Sequence, residues 1–180
     1  MPLLLPRLPS YGPYDTDYLF TTDGPPHYTS STALVANTMY AKRTVIPRNG
    51  TISDFILLIG ATSSGNVDVG VYTFDGTNYA KAWSSGSTAC PSGNTWTSMG
   101  NPAVTVTRGT ILFLACAFDN ATATPARLVA LGAGGWHSVT GMTYPKFAWS
   151  KASAFPLAGP VADSGVTTGA QVVAMGIKVS

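Results

Sequence analysis

The residues able to do acid–base, nucleophilic or metal chemistry are few and scattered along the chain. His27 and His137 are the two histidines, and neither lies in a zinc-ligand spacing such as HExxH. Cys90 and Cys116 form no CxxC pair, and no GxSxG elbow marks a nucleophilic serine. A Ser/His/Asp triad has no supporting motif. All eight acidic residues are Asp: Asp15, Asp17, Asp23, Asp54, Asp68, Asp75, Asp119 and Asp163. Glycoside hydrolysis needs a pair of carboxylates, and Asp15, Asp17 and Asp23 are close in sequence, but Asp serves turns and caps more often. The same three, or Asp119-Asn120, offer oxygens suited to calcium, without EF-hand spacing. Gly132-Ala133-Gly134-Gly135 does not join a strand to a helix and reads as a turn rather than a phosphate cradle. The residues therefore predict no catalytic site, no cofactor and no metal.

One constellation has a binding chemistry. Asn66 to Phe74 alternates strictly, Asp75-Gly76 is a hairpin turn, and Asn78 to Trp83 alternates again. A two-residue turn sets Val71 against Ala80 and Val69 against Ala82 on the core face. It sets Tyr72 against Tyr79, Gly70 against Lys81 and Asp68 against Trp83 on the other. A four-residue turn slides the pairs and keeps the faces. Tyr72, Tyr79 and Trp83 then share one face with a gap at Gly70. Such a face stacks on sugar rings, meets another subunit, or is covered by a second layer of the protein; covering is favoured, because exposed aromatic patches are rare unless functional.

The elements that carry these residues are strands. The chain has 180 residues, 10% of them charged, with 19 Gly, 13 Pro and no Glu. A composition so poor in helix formers and rich in Thr, Ser, Val and aromatics is all-β. The net charge of +2 points away from nucleic acid, and no stretch has membrane-spanning length. Strands are expected over 37–47, 51–59, 95–99, 104–106, 110–118, 127–131, 146–150 and 171–179, besides the hairpin. The run Ile111 to Phe118 is apolar at both parities, so both of its faces should be covered. Cys116 reads as a small core residue, and two unpatterned Cys make no disulfide framework. Residues 132–170 are irregular and are expected to serve as contact loops. Eight to ten short strands indicate one antiparallel β-sandwich or jelly roll over 37–180.

Residues 1–36 are expected to form an extended arm. Pro2, Pro6, Pro9 and Pro13 favour polyproline-like extension. Leu3, Leu4, Leu5, Leu8, Tyr11 and Tyr14 are too apolar to be left in water. The arm either folds over its own sandwich or lies on a neighbouring subunit, and its length permits both. The Leu run has no basic segment before it and is interrupted by Pro, unlike a signal peptide.

The stretch Ser63-Ser64-Gly65-Asn66-Val67-Asp68-Val69-Gly70-Val71-Tyr72, the Asp-Gly turn, and Pro102 to Val106 followed by Arg108 to Ala115 resemble β-sandwich modules of tailed-bacteriophage virion proteins. Tyr40 to Pro47 fits the same pattern, so the likeness covers about residues 37–120. Modules of this kind are similar to carbohydrate-binding jelly rolls and occur in capsid decoration, head-fibre and tail-appendage proteins. The resemblance implies a non-enzymatic structural protein of the virion. Its implied partners are copies of itself, as a trimer, and other virion proteins such as the major capsid protein. A receptor-recognition module binding host glycans through Tyr72, Tyr79 and Trp83 is the alternative.

Overall fold

The computed structural model describes residues 18–20, 28–31, 33–128, 148–168 and 172–180. They contain no α-helix and sixteen strand segments. These are β1 (Tyr18–Phe20), β2 (Tyr28–Ser31), β3 (Met39–Val45), β4 (Gly50–Leu58), β5 (Asn66–Phe74), β6 (Asn78–Ser84), β7 (Thr88–Ala89) and β8 (Trp96–Gly100). They continue with β9 (Val104–Val106), β10 (Ile111–Phe118), β11 (Ala126–Leu128), β12 (Ala148–Lys151), β13 (Val161–Ala162), β14 (Thr167–Thr168), β15 (Val172–Val173) and β16 (Met175–Val179). Among the described residues one 3-10 turn occurs, at Asp163–Gly165. No helix among the described residues is long and apolar enough to cross a membrane.

All the pairings are antiparallel. One sheet runs β1-β16-β4-β8, with β9 also on β4. The larger sheet runs β13-β6-β5-β10-β3-β12-β14, with β7 on β5. A small third sheet joins β15, β11 and β2. Alternation along the strands places the main core between the two large sheets. From the larger sheet come Tyr40, Ile46, Val67, Val69, Val71, Leu112, Leu114, Cys116 and Phe118; facing them are Ile52, Phe55, Leu57, Met175, Ile177 and Val179. The opposite parity of the larger sheet builds a second apolar layer from Met39, Ala41, Tyr72, Tyr79, Phe113, Ala115, Ala117 and Trp149. Central β10 is thus covered on both faces, as its unbroken apolar run requires.

The outer edge of the smaller sheet is made of β8 and β9, which follow one another along β4. Between them the chain breaks at Asn101-Pro102-Ala103, with φ +132° at Gly100 and +52° at Ala103. The Asn101 carboxamide accepts the Ala103 N–H at 3.0 Å and holds the kink.

Two expectations are corrected. The hairpin loop has four residues, so Phe74 pairs Tyr79 and Thr73 pairs Ala80; Asp75 fixes it by accepting the N–H groups of Thr77 and Asn78 at 2.8 and 2.7 Å. That slip alone would have kept the faces. A bulge between Val71 and Tyr72 then leaves Ala82 as an extra residue, pairs Val71 with Trp83, and reverses the parity beyond it. Ala82 is exposed instead of buried against Val69, and Trp83 moves to the core side. Within the span expected as an arm, two short strands pair with the rest of the chain. Tyr18 to Phe20, free of Pro, pairs with Gly176 to Lys178 of the same chain, and β2 pairs with β11. Leu3, Leu4, Leu5, Leu8, Tyr11 and Tyr14 lie outside the described residues.

Candidate functional site

The polar side chains of the hairpin converge on the outer face of the larger sheet, under a strap formed by residues 152–166. On β5, Asp68, Gly70 and Tyr72 alternate onto this face; on β6, Tyr79 and Lys81 do. Each grips the strap. The Asp68 carboxylate accepts the Leu157 N–H at 2.9 Å. The Tyr72 hydroxyl donates to the Ala158 carbonyl, and the Lys81 ammonium donates to the Leu157 carbonyl at 2.8 Å. The Tyr79 hydroxyl donates to Asp163 at 2.6 Å. Gly70 supplies the room: a Cβ there would come 2.7 Å from Leu157 Cδ1. The strap ends are held by Ala154 N–H on the Asn37 carbonyl at 2.7 Å and by β13 pairing with β6.

Beneath the strap the aromatic rings interlock. Tyr79 lies 4.5 Å from Trp149 and 4.8 Å edge-on from Phe113, and Tyr72 meets Trp149 edge-on at 6.4 Å. Ala154, Leu157 and Val161 close the layer from the strap side. The Trp149 indole N–H is buried without a hydrogen-bond partner among the described residues.

The structure brings together two of the three aromatic residues singled out from the sequence. Tyr72 and Tyr79 share the strapped layer, both 0% exposed, so neither ring presents a face to a sugar. Trp83 lies on the other side of the sheet, tilted against Phe55 at 5.9 Å, where it helps seal the main core. The three form no common platform. The covering layer expected over the aromatic face is the strap, drawn from the irregular 132–170 region.

The remaining polar candidates support the fold locally. Asp119 accepts the Asn66 N–H at 2.9 Å and its side-chain amide at 3.0 Å. The Asn120 side chain donates to the Ser64 carbonyl at 3.1 Å and accepts the Thr122 N–H at 2.8 Å. Asp54 accepts the hydroxyls of Tyr18 at 2.7 Å and Ser98 at 2.6 Å. Cys90 and Cys116 are free thiols, and burial pushes the Cys116 thiol upward in pKa. No cluster of three or more His, Cys, Asp or Glu occurs among the described residues. His27, His137, Asp15, Asp17, Asp23 and Gly132 to Gly135 lie outside them.

Electrostatics single out Asp68. It is 1% exposed, and burial raises its carboxyl above the ordinary Asp range despite hydrogen bonds from Leu157 and Ser85 and the charge of Lys81. The Tyr72 phenol is pushed up by burial and by the charge of Asp68. The role of Asp68 escaped the sequence reading. Its one signal was a carboxylate flanked by Val67 and Val69 on a strand destined for the interior. Family models give no match to this chain, and neither do curated proteins.

Proposed function

We propose that the chain is a non-enzymatic structural protein of a tailed-bacteriophage particle, a jelly-roll-type decoration or head-fibre protein held in symmetric copies on other virion subunits. The observation that carries this reading is the seating of β1. Tyr18 to Phe20 pairs along β16, and the Tyr18 hydroxyl is fastened to Asp54 on the next strand. This fixes Tyr18 at the edge of the smaller sheet, and in this reading the leucines and tyrosines that precede it in the sequence are the apolar side chains offered to a neighbouring subunit. The described carboxylates Asp54, Asp68, Asp75, Asp119 and Asp163 all accept hydrogen bonds that hold this chain's own loops and strands, as a scaffold requires.

Particles assembled with a chain lacking residues 1–17 test the reading. The truncated protein is expected to keep its unfolding midpoint and to disappear from purified particles, measured as copy number by quantitative mass spectrometry. Full occupancy by the truncated chain would overturn the arm as the anchor. Absence of the intact chain from particles would overturn the assignment to a virion.

A further inference from the structure

The two margins of the larger sheet are built from one stretch of chain. β13 lies on β6 at one margin, β14 lies on β12 at the other, and both belong to residues 161–168. Between the margins the sheet order contains six strand-to-strand steps, about 29 Å along the sheet at about 4.8 Å each. From Ala162 to Thr167 the chain has five residues for that crossing, which reach about 18 Å at most. The 3-10 turn at Asp163–Gly165 shortens the reach further. The margins are therefore joined only because the sheet is rolled. The rings beneath give an independent measure. Tyr79 on β6 and Trp149 on β12 stand four steps apart in the sheet, about 19 Å. Their ring centroids are 4.5 Å apart.

Both ends of the crossing are fastened. On the β6 side Val161 pairs with Tyr79 and Ala162 with Asn78. There the Asp163 N–H donates to the Thr77 carbonyl at 2.9 Å, and the Tyr79 hydroxyl donates to Asp163 at 2.6 Å. On the β12 side Thr167 pairs with Ser150 and Thr168 with Trp149. Every residue between is fixed, Asp163–Gly165 in the turn and Val166 against the aromatic layer. Such a link transmits a displacement rather than absorbing it. We infer that residues 161–168 are a tie that holds the larger sheet rolled and couples its two margins, so that a change at β6 is felt at β12. The coupling is an equilibrium property and runs equally in the other direction.

Hydrogen exchange read residue by residue, in the intact protein and in Tyr79→Phe, tests the tie. Tyr79→Phe keeps the ring and removes the bond to Asp163. Exchange of the protected amides is expected to quicken about tenfold, as for the loss of one hydrogen bond to a charged group. The quickening is expected in β6 and β13 and also in β12 and β14, with β4 and β16 unchanged. Its absence from β12 and β14, or an equal effect in β4 and β16, would overturn the proposal. A second variant separates the tie from the ring contact. A flexible Gly-Ser stretch inserted between Ser164 and Gly165, both exposed, leaves every pairing residue in place. In that background Tyr79→Phe is expected to quicken β6 and β13 alone. An effect at β12 and β14 as large as without the insertion would assign the coupling to the Tyr79–Trp149 contact and overturn the tie.

Discussion

Tyr79 and Trp83 stand on one strand with the spacing of a shared face, and a single extra residue, Ala82, sends them into different cores. The consequence for Trp83 is structural. Its ring, partly buried on Phe55, closes the main core where β6 approaches the smaller sheet. Trp83→Ala is expected to cost about 2–3 kcal/mol, toward the low end for large aromatic truncations because the ring is only partly buried; the unfolding midpoint in denaturant measures it. The parity of Tyr72 and Tyr79 was legible from alternation, whereas the bulge was not, because its extra residue falls on β6, which carries no Gly or Pro to mark it. Single carboxylates also set the acid response. Asp119 is held below the ordinary range first by the Asn66 backbone N–H, and Asp75 by the N–H groups of Asn78 and Thr77. A lowered carboxyl contributes stability at pH above its unfolded value, and that contribution is lost as pH falls through its folded value. Melting temperature is therefore expected to drop on acidification below about pH 4. Asp119→Asn, less stable at neutral pH, converges with the intact protein as Asp119 becomes protonated. Asp68, raised instead, acts with the opposite sign.

At the scale of elements, the long strands were legible and the strap was not. Residues 39–45, 50–58, 66–74 and 111–118 advertise themselves by alternation or by an unbroken β-branched and aromatic run. The strap has no period to read. It is positioned by hydrogen bonds to side chains far away in sequence, Asp68 to Leu157 spanning 89 residues. Gly70 was recognisable as a gap, but its occupant, Leu157, was not. Gly70→Ala tests the fit. The added methyl meets Leu157 Cδ1 and the Trp83 carbonyl, each 2.7 Å from the ideal Cβ position. The expected cost is about 1–3 kcal/mol, as for overpacking, with faster hydrogen exchange confined first to the strap. An unchanged strap with an unchanged midpoint would show that the contact is slack.

For the molecule as a whole, composition sufficed for the all-β class, and the double-sided burial of β10 followed from its sequence. The number of layers did not follow. A third layer made of loop carries no hydrophobic pattern of its own and exists only because the larger sheet offers it Tyr72, Phe113 and Trp149. Within the first 36 residues, Tyr18 to Phe20 pair with β16 and Tyr28 to Ser31 with β11, and strands of three or four residues are too short to have a readable period. The kinked edge made by β8 and β9 has a consequence for strand addition. A chain aligning itself there would find hydrogen-bonding groups in two short runs, separated by a proline and two left-handed residues. Among the described residues, this edge therefore offers no continuous template along which a second chain could add a strand.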